Sequence, residues 1–315
     1  MTSTAIVTSC NNIAFIDTAI RSCINQTPHF DQIIVVDDCS TDASFPTLTR
    51  LQKDLNFILL KTAKNMGPSG ARNLGIKQAI GQYINFLDGD DYLLPGKLQE
   101  QISILEASPN SAVCYSDCSI LRGNNFLDFT FNDFAPATSG YILPHLFQRN
   151  CIALHTALVR TSIARQVMFD ESLRSAEDYD FWLRVAQLND SFIYIDKVMA
   201  VYRRGQVSLT TARLGSITNN IQVLDKIRGV DDAARAVISQ QKAYLLHERF
   251  RLLVKNSSKE AFDSLAEAAT LVPLPRRLWL ISSVNKISQT LGRKVALALL
   301  KGATSVENRA IADTI

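Results

Sequence analysis

Long hydrophobic runs are missing from this chain, and no uninterrupted apolar stretch approaches the roughly 20 residues that a membrane-spanning helix needs. An excess of one charge is missing too. Lys and Arg total 33 against 30 Asp and Glu, and a formal net charge of +3 is too small to suggest nucleic acid as the main partner. The six cysteines (Cys10, Cys23, Cys39, Cys114, Cys118 and Cys151) form no CxxC pair and no disulfide-like framework. They read as buried free thiols in a reducing compartment. Glycine and proline are few, and with 47% hydrophobic and 20% charged residues the composition is globular. No basic region leads into a long apolar run at the N-terminus, so no signal peptide is expected and the chain reads as cytoplasmic. A length of 315 residues suits one large domain, or one domain with a smaller appendage.

What is present is an alternation of short apolar strands and helical patterns. Residues 5–9 are β-branched and bounded by polar residues, as a strand would be. Asn11 and Asn12 can cap a helix carrying Phe15, Ala19, Ile20, Cys23 and Ile24 at helical spacing. Residues 32–36 are apolar apart from the leading Gln32, as expected of a parallel strand covered on both faces. Leu48, Leu51 and Leu55 follow on a second helix, and residues 57–60 form a third strand. A helix capped by Ser69 or its neighbours then runs to Ile80, and residues 83–87 make a fourth strand. Four such strands imply a doubly wound, mostly parallel, Rossmann-like α/β sheet with right-handed connections.

Three polar clusters follow three of these strands: Asp37-Asp38, the segment from Asn65 to Asn73, and Asp88-Gly89-Asp90-Asp91. In such a sheet they converge on one rim, where open α/β folds hold ligands. A lone acidic turn would be ordinary; three converging clusters are not. Carboxylates at a strand end are hard oxygen ligands, and Mg²⁺ or Mn²⁺ shared with a phosphate needs only one or two of them.

The run Val35-Val36-Asp37-Asp38-Cys39-Ser40-Thr41-Asp42, the segment Asn65-Met66-Gly67 through Ala71-Arg72-Asn73, and Asp88-Gly89-Asp90 together resemble family 2 glycosyltransferases. The resemblance spans about residues 4–205. It implies a GT-A fold, inversion at the sugar, a nucleoside-diphosphate sugar donor (UDP first, with dTDP and GDP open) and a divalent metal. By this resemblance Thr8 and Asp38 contact the nucleotide, Asp38 accepting the base N–H. Arg72 meets the diphosphate. Asp90 is the main metal ligand, with Asp88 a second ligand or nearer the sugar, and Asp91 stays open. Cys39 departs from the pattern, since the family more often has Gly there.

Beyond the donor half, placed at about 1–95, an acceptor half is expected over 96–210. A helix over 95–107, a strand over 112–116 and a hairpin turn at Arg122-Gly123-Asn124-Asn125 open it. Residues 126–150 read as an irregular aromatic region, either a loop over the acceptor or a packed loop with its own small core. Residues 155–160 read as a strand, with His155 more often structural than a ligand. Glu177-Asp178-Tyr179-Asp180-Phe181-Trp182-Leu183-Arg184 opens a helix, whose dipole alone would favour its carboxylates. By the family resemblance Asp178 is the catalytic base. A strand over 192–195 precedes Tyr202-Arg203-Arg204, which resembles a segment closing over the donor diphosphate; Arg203 is the candidate, and a solvated basic turn is the alternative. Relatives often carry a histidine soon after, where Gly205 stands here.

A helical region is expected over 211–315. From Leu271 to Val306 it holds basic residues interleaved with Trp279 and other apolar ones, and no acidic residue. That stretch suits an anionic membrane surface at the inner face of the cell membrane, a cap on the catalytic domain, or a homodimer contact. The acceptor is expected to be a carbohydrate or a lipid-linked sugar. Two rivals stand beside this reading. A nucleotidyltransferase would want a Gly- and Lys-bearing loop after the first strand, where Thr8-Ser9-Cys10-Asn11-Asn12 has neither. A binding module without turnover would lack the carboxylates that are present.

Overall fold

Parallel strands with apolar side chains on both faces organise the first half of the computed structural model, which describes residues 1–173, 175–204, 209–255 and 260–272. In chain order the elements begin β1 Ser3–Ser9, α1 Ile16–Ile24, β2 Gln32–Asp37, α2 Ser44–Asp54, β3 Ile58–Lys61, α3 Gly67–Gln78 and β4 Tyr83–Asp88. They continue β5 Tyr92–Leu93, α4 Lys97–Ala107, β6 Val113–Arg122, β7 Asn125–Thr130, β8 Gly140–Tyr141 and α5 Leu143–Gln148. Then come β9 Leu158–Arg160, α6 Thr161–Val167, α7 Glu177–Leu188 and β10 Ser191–Arg204, followed by α8 Leu209–Lys226, α9 Asp232–Lys255 and α10 Ala261–Leu271.

The sheet order is β3-β2-β1-β4-β9-β6-β10-β5, with β7 and β8 added on β6 and β10. The first four strands run parallel, and β9 then enters antiparallel between β4 and β6. The chain leaves β1 for β2 on one side and returns through β4 on the other, so the crevice at their C-terminal ends is a topological switch point. Register fixes what meets there: Thr8 of β1 lies opposite Asp88 of β4, and Ser9 opposite Asp37 of β2.

Burial follows the strand period of two. Val35 joins a core with Ala5, Val7, Ile20 and Leu87, while Ile34 and Val36 pack with Ala71 on the other face. Helix α3 can lie close on β1 because residue 75 is glycine; a Cβ there would come within 2.5 Å of Ile6 Cγ2.

Several expectations change. Residues 126–150 are irregular only in part, since they supply most of β7 together with β8 and α5. The expected strand over 155–160 is a single 3-10 turn at Leu154–Thr156 and a three-residue strand. Residues 192–195 and 201–204 belong to one long strand, β10, bent by register shifts between Ile195 and Ala200. Cys10 is exposed and Cys39 half-buried, so not every thiol is internal.

The chain divides into two compact units, Met1–Gln206 and Val207–Ile315. Within the second, α8 is tied to α9 by an Arg213–Glu248 ion pair at 2.9 Å, and Phe250 meets Phe262 of α10 edge to face. Among the described residues no helix is long and apolar enough to cross a membrane. The basic stretch after Val272 and the position of Gly205 lie outside the described residues.

Candidate active site

The C-terminal ends of β1, β2 and β4 and the start of α3 enclose a cleft of about 450 Å³. Thr8, Cys10, Asp38, Gly67, Arg72, Asp88, Gly89, Asp90 and Glu177 are among its lining residues. All the donor-side residues expected from the sequence except Arg203 therefore meet in one place.

Each is held in its own way. Asp38, 3% exposed, turns its carboxylate to the start of α3: Oδ1 accepts from Met66 N–H at 2.8 Å and Oδ2 from Gly67 N–H at 2.7 Å. The Thr62 hydroxyl donates to the same Oδ1 at 2.8 Å. The expected Ser69 cap is thus replaced by Asp38, which reaches the unpaired N–H groups from another strand. Cys39 follows with φ of 57°, a left-handed conformation that explains why glycine suits this position.

Thr8 donates its hydroxyl to Asp88 Oδ1 at 3.0 Å. Arg72, expected at a diphosphate, is 3% exposed and bridges two carboxylates, with Nη2 to Asp88 and Nη1 to Glu177, both at 2.6 Å. Burial works against its charge, and the two carboxylates more than offset that, so Arg72 stays protonated. Burial also works to raise the pKa of Asp88, yet Arg72 and the Thr8 hydroxyl hold it below the ordinary carboxylate value.

Asp90 behaves oppositely. Burial, then the neighbouring Asp88 charge, push its carboxyl upward. Gly89 brings these two carboxylates onto the rim: its N–H donates to Thr8 O at 2.8 Å, and a Cβ would sit 2.9 Å from that oxygen. Asp91 turns inward, accepting Arg203 N–H at 2.7 Å and lying 3.1 Å from Nδ1 of buried His155. Burial drives the His155 pKa down to about 4, so the ring is neutral and structural at neutral pH. Arg203 sits outside the cleft lining, its guanidinium carbon 4.9 Å from the Phe15 ring centre and 5.1 Å from that of Tyr92.

The start of α7 adds a further carboxylate beside this cleft. Asp178 accepts from Asn150 Nδ2 at 3.0 Å and from Tyr179 N–H at 2.8 Å. Burial, then the adjacent Glu177, raise its pKa to about 7; Arg72 and Asp88 are also within electrostatic reach. Ala176, just before it, adopts φ of 58°, a strained conformation for a residue with a side chain.

Sequence reasoning gave no role to Glu177, Asn150, Phe15 or Tyr92. One signal for Glu177 was legible: an arginine deep in a fold requires carboxylates to pair with it. Asn150 had none, because it arrives from a distant loop.

The carboxyl chemistry fits a divalent cation. Asp88 and Asp90 stand together, and Asp90 is destabilised as an anion in a way that a cation would relieve. Among the described residues no group of three or more His, Cys, Asp or Glu could hold a metal. A cation here would share its ligands with a phosphate.

Comparison with known proteins gives a match of residues 4–130 to the model of glycosyl transferase family 2. An uncharacterized glycosyltransferase of Rickettsia conorii is 34% identical over 193 residues, 61% of this chain but only 31% of that protein's length. The succinoglycan biosynthesis protein ExoO of Rhizobium meliloti is 32% identical over 186 residues, 56% of this chain and 53% of its own. Among solved structures, residues 1–349 of S. aureus TarS in complex with UDP align with TM-score 0.68 at 19% identity, covering 96% of this chain and 92% of that one. The mannosyltransferase PcManGT of Pyrobaculum calidifontis, in complex with GDP-Man and Mn²⁺, aligns with TM-score 0.62 at 19% identity, covering 94% and 85%. At such identities the two structures speak for the fold.

Proposed function

We propose that this chain, which matches glycosyl transferase family 2 over residues 4–130 and has a GT-A type α/β fold, moves a sugar, with inversion, from a nucleoside diphosphate to an acceptor hydroxyl. The observation that carries the reading is geometric: Arg72 of the donor cleft grips Glu177 at 2.6 Å, and the next residue, Asp178, is oriented by Asn150.

Inversion requires attack on the anomeric carbon from the side opposite the leaving diphosphate. A hydroxyl is a weak nucleophile, so a positioned base must take its proton as the new bond forms. Asp178 does this, oriented by Asn150 and the Tyr179 N–H. Its raised pKa suits a base working near neutral pH. Asp90 and Asp88 would hold Mn²⁺ or Mg²⁺, which supplies positive charge against the charge growing on the departing diphosphate. Arg203, braced between two rings beside Asp90, is the protein's own candidate for the same task.

UDP is the leading donor nucleotide. Asp38 Oδ2 accepts from Gly67 N–H, and its second lone pair leaves it capacity to accept the imide N–H of uracil. Thr8 lines the same cleft. A relative named for succinoglycan biosynthesis makes a carbohydrate acceptor the first to test. The test is calorimetric titration of UDP, dTDP and GDP, each with and without Mn²⁺, on wild type, Asp90→Ala and Asp178→Asn. One diphosphate should bind in a metal-dependent way, fail with Asp90→Ala and survive Asp178→Asn. If none binds with metal present, the donor site is wrongly assigned.

A further inference from the structure

One face of α3 does more than line the cleft. Ser69, Arg72 and Asn73, spaced as neighbours along a helix, all reach across to the segment 169–177 that leads into α7. Asn73 Nδ2 donates to Phe169 O at 2.9 Å and to Glu171 Oε1 at 3.0 Å, while Phe169 N–H donates back to Asn73 Oδ1 at 2.8 Å. The Ser69 hydroxyl donates to Leu173 O at 3.4 Å. Arg72 completes the row through Glu177, its guanidinium 5.3 Å from the Phe169 ring centre. Phe169 in turn stacks on Phe181 of α7 at 4.2 Å.

The row has an open end. Arg72, Asp88 and Glu177 all line the donor cleft, so a bound nucleoside diphosphate lies against the bridge that holds the start of α7. The same turn contains Ala176 at positive φ, a conformation that persists only while its surroundings enforce it.

We propose that Arg72 is a positioning residue: through Glu177 it makes the order of the first turn of α7, and so of Asp178, depend on what occupies the donor cleft. This rests on the donor-site reading above and assigns Arg72 a task distinct from direct phosphate contact. With the cleft filled, Asp88 and Arg72 are fixed, Glu177 is held, and the base is set for the acceptor. Without donor the same turn is held less firmly.

Hydrogen exchange of the full chain tests this without any need for turnover. Peptides covering 169–181 are followed with and without saturating UDP and Mn²⁺, in wild type and Glu177→Gln, alongside calorimetry of UDP on the same samples. In wild type, ligand should slow exchange of that segment by about tenfold. In Glu177→Gln the unliganded segment should exchange faster than wild type and the ligand-induced slowing should vanish, while UDP affinity falls by no more than the same factor of about ten. Glu177→Asp, which keeps the charge but shortens the reach, should behave likewise and stands in if the glutamine variant does not fold. Slowing that persists in both variants, or its absence in wild type that binds UDP, overturns the proposal. So does a loss of UDP affinity well beyond about tenfold, which would make the bridge part of the donor contact itself. Absence of nucleotide binding by wild type in calorimetry would instead bring down the donor-site reading, and the coupling with it.

Discussion

The two halves of the first unit make their halves of the site by different means. On the donor side, Thr8, Asp38, Asp88 and Asp90 sit at or just past the ends of neighbouring parallel strands. Their meeting is a consequence of register, since Thr8 opposite Asp88 is a ladder position. On the acceptor side, Asp178 is placed by contacts between residues far apart in sequence: Asn150 from a loop, and Arg72 from the other half through Glu177. Strand ends bring their carboxylates together whenever the sheet forms. The proposed base depends on tertiary contacts, and a conformation as strained as that of Ala176 marks where such dependence is concentrated.

Substitutions can break this comparison at either end. The largest effect is expected from Asp178→Asn, which should lower turnover by about 10²–10⁴-fold while leaving UDP affinity unchanged. Steady-state kinetics beside calorimetry would check it, and a parallel loss of affinity would mean the halves are not separable. Next is Asp90→Ala, which should weaken Mn²⁺-dependent UDP binding by at least about tenfold, since removing a hard oxygen ligand costs the shared cation its anchor. Metal-free binding of UDP should change little.

A smaller but sharper effect concerns pH. A base must be deprotonated to act, and Asp178, proposed for that role, has its pKa raised to about 7 by burial and then by Glu177. The rate should therefore climb about tenfold per pH unit on the acid side and level off above about 7. Glu177→Gln removes the like charge, so the climbing limb should move to lower pH. A limb that does not move would show that the Glu177 charge does not reach the base.

The same contrast governs what could be read from the sequence. The parallel strands announced themselves through unbroken apolar runs, because burial on both faces leaves little room for polar side chains. The rim carboxylates followed from strand ends. The acceptor half resisted because β9 is three residues long and β10 is bent by register shifts, so neither shows a clean period. Residues 126–150 read as irregular since their short elements are too brief for a periodic signal. Asp38 shows the remaining gap: its chemistry was legible, but its role as the cap of α3 needs the third dimension. Glu177 shows it again, as a residue quoted in a motif whose partner lies 105 positions away.

The smallest effect separates stability from activity at the base itself. Asp178 titrates near 7 in the folded chain against an ordinary value of 3.8, a rise caused first by burial and then by Glu177. A carboxyl raised in this way stabilises the fold fully below about pH 4 and loses that contribution as pH climbs through about 7, because the unfolded chain gives up its proton more readily. Asparagine carries no charge to bury and can still donate or accept in place of the carboxyl. At about pH 8 the Asp178→Asn variant should therefore melt about 2–4 °C above wild type, and at about pH 4 the two should converge. Thermal unfolding monitored at both values decides it. An advantage of equal size at both would trace to packing, whereas one confined to the alkaline side would mean that the fold gives up stability to keep a charged base where the acceptor must arrive.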